Sequence, residues 1–528
     1  MATRECMFAV GRRMAGETRL AIAVLAVLAF HASLTHDAVR AQTDIQFGTE
    51  LDRGQGNTVA RQPQPAQGAT SELADWPRPQ AVLVVTGRQH GYIEPCGCTG
   101  LENAKGGLSR RHTFIRNLQA KGWPVVPLDV GNQVRRFGRQ AEIKFQTTID
   151  ILRRLKYQGV GFGPDDLRLS VGELIASVAE PDGGAPMFLC ANVDVLEQNG
   201  KFRVIQAGPL KIGITSVLGV AEMRMVNSPD ITITDPVAAL KQVVPQLVSQ
   251  KCHHYVLMAH ASIEESKEMS RQFPQFNIVV TAGGAGEPTR EPERIAGSNA
   301  QLIQVGTKGM YVGVVGLYNG KPPQYARVVL DARYGDSQEV LDLFAGYQDQ
   351  LETLGLDGLG VSPVPFTGNP ARKFVGTAIC ADCHSSAMEV FEKSDHAHAT
   401  RSISQPTQRS AIPRHFDPEC ISCHVTGWNA QGYFPYQSGY LGLEKTPDLL
   451  DNGCENCHGP GSRHSAAETG DVVVTEADKQ RFRNEMKLPM AQARDKCLEC
   501  HDLDNSPEFH EEGAFEKFWA DVKHEGKY

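Results

Sequence analysis

Four times the sequence repeats one five-residue pattern, Cys-X-X-Cys-His: Cys380, Cys383 and His384; Cys420, Cys423 and His424; Cys454, Cys457 and His458; Cys497, Cys500 and His501. Two thiols one helical turn apart can reach the two vinyl groups of a single haem and form thioethers, and the next residue's imidazole then sits under the iron. A zinc site or a redox dithiol also uses Cys-X-X-Cys, but neither requires a histidine after the second cysteine. The repeats therefore predict four covalently attached haems c, with the eight cysteines as attachment points and His384, His424, His458 and His501 as proximal iron ligands.

Each haem iron has a second axial position. The segment 374–528 holds six further histidines, His396, His398, His415, His464, His510 and His524, whereas all the preceding residues hold seven. That excess predicts that some of the six are sixth ligands. Met486 and Met490 are alternative ligands that would raise a haem's potential, although packing or surface methionine is the plainer reading. Gly459-Pro460-Gly461 makes a tight reversal between His458 and His464, too short to wrap round a haem. If His464 binds iron, the iron belongs to a neighbouring haem.

The chain that carries these sites has 528 residues, long enough for two or more domains. Its net charge of -8 and the absence of a sustained basic stripe argue against a nucleic-acid partner. Arg12, Arg13 and Arg19 precede an apolar run over 20–30, about half the ~20 residues a membrane span needs, so 1–41 reads as a signal peptide cleaved after Ala41. Export to the periplasm follows, with no transmembrane segment after cleavage. Exported proteins favour disulfides, yet eight of the thirteen cysteines fall in the repeats.

In front of the repeats the pattern changes. Residues 42–77 are rich in Gln, Gly, Pro and Thr without apolar period and read as a flexible lead. AVLVVTG reads as a buried strand, 108–118 as a helix, WPVVPLDVGN as a strand and 143–155 as a second helix. GVGFG, MFLCANVDV, HYVLMAHAS and NIVVTAGG continue the alternation, and QLIQVG, MYVGVVGLY and YARVVLDA end it as strands without intervening helices. This predicts an α/β domain over 78–335 with a mixed sheet. A helix near 336–354 and a Pro-rich link, together 336–373, lead to a mainly helical, loop-rich domain over 374–528.

The stretches FVGTAICADCHSSAMEVFEKSDHAHAT, PECISCHVTGW, NGCENCHGPGSRH and CLECH followed by FWADVKH resemble the tetrahaem cytochromes of the c-552/c-554 type. The resemblance implies that His396, His464 and His524 are distal ligands and that one of the four irons is five-coordinate. It also implies redox partner proteins as donor and acceptor, and leaves open whether the carrier is free or held in a membrane-associated redox complex.

The part in front resembles the calcineurin-like metallophosphoesterases, specifically the amino-terminal domain of 5'-nucleotidases, on HGYIEPC with GGLSRR, LDVGN, GFGPDD, VLMAHA and GTKGMYVGVVGLY. The resemblance implies a two-metal hydrolytic site, from which this chain departs. His90 and His260 are kept. Arg88 replaces the first aspartate, Asn132 the bridging aspartate, and Pro164 and Asp165 an Asn-His pair, while 283–286 lacks both histidines of the last motif. Asp129, Asp165 and Asp166 are candidates for a smaller substitute site, against a plainer reading as caps or solvated loop ends. Cys96 and Cys98 read as buried thiols, as disulfide partners for Cys190 or Cys252, or as metal ligands with His90.

The expected architecture is thus a metallophosphoesterase-like α/β sandwich followed by a tetrahaem domain, and the expected role is electron transfer. Two alternatives remain: reduction of a small nitrogen or oxygen species at a five-coordinate haem, and residual metal-dependent phosphoesterase activity.

Overall fold

The computed structural model describes residues 71–95, 104–136, 138–180, 183–407 and 410–525. The signal-peptide reading, the lead over 42–70 and the readings of Cys96 and Cys98 fall outside these residues.

The first part is built from β1 (Ala81–Thr86), α1 (Leu108–Ala120), β2 (Val125–Asp129), α2 (Arg139–Arg154), β3 (Gly159–Val160), α3 (Val171–Val178), β4 (Val193–Asp194), β5 (Phe202–Ala207), β6 (Leu210–Leu218) and α4 (Val220–Met223). It continues through β7 (Thr232–Ile233), α5 (Pro236–Ser249), β8 (His254–His260), α6 (Ile263–Gln272), β9 (Ile278–Thr281), β10 (Glu293–Arg294), β11 (Gln301–Gln304), β12 (Tyr311–Tyr318), β13 (Lys321–Val329) and α7 (Gln338–Gly358). One sheet has the order β13-β12-β1-β2-β3 and a second the order β10-β11-β9-β8-β6-β5. Both are mixed. β1, β2 and β3 run parallel, β12 lies antiparallel to β1 and β13 antiparallel to β12, and β6, β8, β9 and β11 run parallel between antiparallel edges.

The unbroken apolar run of β1 follows from its place between two cores. Ala81, Leu83 and Val85 point into the layer between the sheets, while Val82 and Val84 point to the outer layer under α1, α2 and α7. A third cluster holds α5 and α6 against the other sheet. The result is a four-layer α/β/β/α sandwich.

Several boundaries differ from the sequence reading. Leu73 is buried in the outer core and Trp76 stacks on Trp123, so packing begins before residue 78. Val340, Phe344, Tyr347 and Leu351 of α7 join the same core, which makes that helix part of the sandwich rather than a linker. MFLCANVDV contributes one two-residue strand and isolated bridges instead of a continuous strand. Its polar Asn192 explains the break: the side chain bonds to Leu218 and Thr234 backbone groups and so takes the chain out of the ladder.

The second part is helical and loop-rich: α8 (Thr377–Ala381), α9 (Ser385–Phe391), α10 (Ala399–Ser404), α11 (Pro418–His424), the short pair β14 (Trp428–Asn429) and β15 (Phe434–Pro435), α12 (Cys454–His458), α13 (Ser462–Thr469), α14 (Glu476–Glu485), α15 (Met490–Leu498) and α16 (Ala514–Val522). Its core is small: Phe374, Ile403, Ile421, Val425, Trp428, Tyr440 and Leu449. So little apolar burial is what is expected of a chain held together by something besides its own side chains. No helix among the described residues is long and apolar enough to cross a membrane.

Candidate functional site

Each Cys-X-X-Cys-His repeat lies on a helical turn. Cys420 to His424 end α11 and Cys454 to His458 make up α12. In the first and fourth repeats the turn is closed by the backbone N–H of His384 donating to Cys380 (3.0 Å) and that of His501 donating to Cys497 (2.8 Å). The residues between the cysteines also matter. Glu455 is buried, and its carboxylate accepts from the N–H groups of Val375, Gly376 and Gly461 at 2.7–3.0 Å. Asn456 donates to the Val425 carbonyl and accepts from Gly427 N–H, so the third repeat is tied to the chain leaving the second.

An imidazole nitrogen lies ~2 Å from a metal it ligates and ~1 Å from its own ring centre, so two rings on opposite faces of one metal have centres ~6 Å apart. Three pairs in this structure meet that spacing. His384 faces His464 at 6.3 Å, His501 faces His396 at 6.1 Å, and His458 faces His524 at 5.6 Å. Each pair joins a histidine of a repeat to one outside the repeats. His464 thus faces the first repeat although it follows the third by only the Gly-Pro-Gly reversal.

The ring orientations are set by the other nitrogen. Nδ1 of His458 is 2.7 Å from the Met486 carbonyl, Nδ1 of His501 is 3.0 Å from Ser506 Oγ, and Nδ1 of His424 is 2.8 Å from the Ala399 carbonyl. A ring that donates from Nδ1 presents a lone pair at Nε2. Burial also favours the neutral, ligating form: it lowers His396 and His458 and brings His501 down to about 4. Among the described residues, no histidine faces His424 at the ~6 Å spacing of two rings across one metal.

The remaining candidates lie elsewhere. His398 is exposed. His415 packs against Phe416 with the rings tilted, and His510 bonds through Nε2 to the His501 carbonyl. The Met486 sulfur accepts from Arg372, and Met490 is exposed at the start of α15, so both follow the packing-or-surface reading. The repeats also meet in pairs: the Cys380 thiol lies beside that of Cys454, and the Cys500 thiol beside that of Cys423. The described cysteines form no disulfide. The arrangement thus sets thiols on helical turns, gives three of the four repeats a facing imidazole at the separation that spans a metal, and has few apolar side chains competing for the interior.

The cleft of the α/β sandwich has a different character. The Arg88 guanidinium donates to the carbonyls of Gly284 and Val305, filling the place of a metal-binding carboxylate with a cation. His260 is buried with Nδ1 on the Val130 carbonyl, and burial lowers it to about 4. His90, lowered to about 3 by burial and then by Arg88, sits among Arg135, Lys308 and Asp504. Asp129 and Asp166 are not solvated, contrary to the plainer sequence reading, while Asp165 stands at the N-cap of the 166–168 turn and is partly buried. Asp129 is fully buried and accepts from Thr86, Gly131 and Gln133, and Asp166 is fully buried and accepts from four backbone N–H groups. Asp165 is paired with Asn132. Gly131 adopts φ +96, and a Cβ there would meet Gly163 N at 2.5 Å, so Asp166 stitches two tightly apposed loops. Among the described residues no group of three His, Cys, Asp or Glu side chains is arranged to hold a metal ion.

The sequence reading missed the polar groups around the second repeat. Asp417 caps α11 and accepts from Gln140 and Gln348, and Glu419 pairs with Lys144 and Arg136. The Asp-Pro step at 417–418 signals a helix start, and so marks Asp417, but not its distant partners.

Comparison with known proteins finds similarity in both parts of the chain. Residues 379–459 match the family model described as Cytochrome c554 and c-prime. Over 97 residues the chain is 31% identical to cytochrome c-554 of Nitrosomonas europaea, a match covering 17% of this chain and 39% of that protein. Over 258 residues it is 23% identical to the snake venom 5'-nucleotidase of Crotalus adamanteus, covering 44% of this chain and 42% of that protein. The chain thus spans about two fifths of the length of each of these relatives. Among solved structures, the 5'-nucleotidase precursor from Thermus thermophilus aligns at 17% identity and a TM-score of 0.46, covering 52% of this chain and 59% of that one. The chain joins an α/β part similar to 5'-nucleotidases to a carboxyl-terminal segment similar to cytochrome c-554.

Proposed function

We propose that this protein is a periplasmic electron carrier with four covalently bound haems, attached at Cys380/Cys383, Cys420/Cys423, Cys454/Cys457 and Cys497/Cys500. The observation that carries this reading is the set of three facing histidine pairs, each with one partner from a repeat and one from outside. In it, His384 and His464 would hold the first-site iron, His458 and His524 the third, and His501 and His396 the fourth. An iron held by two histidines would change oxidation state without gaining or losing a ligand, as a carrier requires. Because repeats one and three, and repeats two and four, lie side by side, the haems they would hold would come together in pairs, which suits electron transfer between them.

A second reading concerns the second site. His424 has its Nδ1 committed to the Ala399 carbonyl and, among the described residues, no facing histidine, which leaves that iron an open position. A haem bound there supplies a site for a small nitrogen or oxygen ligand, so reductase chemistry would belong to it alone. For the α/β part we infer a scaffold rather than a phosphoesterase, because Arg88 and the buried, fully engaged aspartates leave no ligand set for two metals.

The test is a denaturing gel stained for haem peroxidase activity, joined to a haem-to-protein ratio. Stain at the mature mass and a ratio of four support the proposal. A colourless band after expression with the haem-attachment machinery would refute it.

A further inference from the structure

The α/β sandwich grips the haem segment at several places: Glu94 holds Ser410 and Arg414, and two further grips lie at the second and fourth sites. At the second site, the helix α11 that carries Cys420, Cys423 and His424 begins against the sandwich. Asp417 accepts from Gln140 of α2 (2.7 Å) and Gln348 of α7 (3.0 Å). Glu419, adjacent to Cys420, accepts from Lys144 (2.6 Å) and pairs with Arg136 (3.1 Å). At the fourth site, Asp504 lies three residues beyond His501 and pairs with Arg135 (2.8 Å) and with Lys308. Asp502 holds that turn by accepting from the N–H groups of Asp504 and Asn505, and the same turn delivers Ser506 to His501 Nδ1.

Arg135 and Arg136 are consecutive residues of one loop, between β2 and α2, yet they serve different sites. Arg136 also lies over the Tyr433 ring, 3.5 Å from its centre, and donates to the Tyr433 hydroxyl. Burial pushes the Tyr433 phenol up to about 12, with Glu419 and Cys423 of the second site and Asp502 of the fourth adding to the rise. These are the two sites whose Cys423 and Cys500 thiols touch. A cation fixed beside a haem stabilises the reduced, less positive state and raises its potential; an anion does the reverse.

We propose that the Arg135-Arg136 loop is a clasp by which the α/β sandwich sets the reduction potentials of the second- and fourth-site haems as a pair, leaving the first and third sites unaffected. The old phosphoesterase cleft, with Lys308 and Arg135 around Asp504, then serves as the socket for the fourth-site loop. This inference rests on the haem assignments proposed above.

The experiment is a redox titration of the full-length haem-loaded protein followed by electron paramagnetic resonance, in which the high-spin signal reports the second site and three low-spin signals report the others. Arg136→Gln removes a cation and leaves Glu419 less compensated. The expected result is a tenfold shift of the high-spin haem towards the oxidised form, ~59 mV more negative for a one-electron couple, with partial recovery in Arg136→Lys. Asp504→Asn removes an anion and is expected to move one low-spin signal to more positive potential, the other two staying in place. Unchanged potentials in both variants, or a uniform shift of all four signals, would overturn the inference. A haem ratio below four in the unaltered protein would instead strike the haem assignments, so the two failures are separable.

Discussion

His464 faces His384 with ring centres 6.3 Å apart, although 79 positions of chain and two other haem-attachment repeats separate them. The Gly459-Pro460-Gly461 reversal makes this pairing natural: α13 turns away from α12 too sharply for His464 to reach the far face of the haem held by its own repeat. The histidine is passed to a neighbour.

That relationship predicts the outcome of His464→Ala. The first-site iron loses its sixth ligand and becomes high-spin, while its thioethers and the haem-to-protein ratio of four are kept. Electron paramagnetic resonance of the oxidised protein should show one low-spin signal replaced by a second high-spin signal. Three surviving low-spin signals would assign His464 no role at iron.

His424 predicts ligand stoichiometry. With no histidine among the described residues opposite it, the second-site iron should bind carbon monoxide or nitric oxide when reduced, in a ratio of one per chain. Spectrophotometric titration measures the ratio. Binding to none, or to several haems equally, contradicts the assignment.

Glu455 predicts a stability loss out of proportion to a single side chain. It is 2% exposed and accepts three backbone N–H groups at the joint of the first and third repeats. Glu455→Ala strands those donors, and the cost should be on the order of 3 kcal/mol or more. Glu455→Gln, which keeps an acceptor oxygen, should cost less. Denaturant titration of the haem-loaded variants distinguishes them.

Acid should weaken the α/β part through its buried histidines. Burial lowers His260 to about 4 and His90 to about 3, so the unfolded chain binds protons more readily than the folded one. Their contribution is fully present above the ordinary histidine value of 6.5 and is lost as pH falls through the folded values. Between those limits each histidine costs roughly 1.4 kcal/mol per pH unit. The stability difference between pH 6.5 and 4.5 should therefore shrink in His260→Gln relative to the unaltered chain.

The parts of this account differ in how far they could be read from sequence. The helical turn that gathers Cys454, Cys457 and His458 was legible because the Cys-X-X-Cys-His spacing is local. β1 was legible because an unbroken apolar run needs burial on both faces. The identity of the facing histidines was carried by resemblance, since nothing local ties His396 to His501. The Lys144 to Glu419 contact was invisible, because each residue alone looks like an ordinary surface charge and only the packing of α2 against α11 brings them to 2.6 Å. Asp129 and Asp166 misled for a related reason. Acidic residues at loop ends are usually solvated, and only the close approach of two loops at Gly131 and Gly163 shows that these two are buried.

The α/β cleft also yields an expectation about hydrolysis. With Arg88 bonded to Gly284 and Val305 carbonyls, added manganese should promote no phosphate release from nucleoside monophosphates above a blank. Release that disappears in His90→Ala would restore a metal site to this fold.

The central claim is most directly tested by spin quantitation of the oxidised protein by electron paramagnetic resonance, alongside a haem-to-protein ratio. The account predicts four haems per chain, three low-spin and one high-spin. Fewer than four haems, or four low-spin irons, would contradict it.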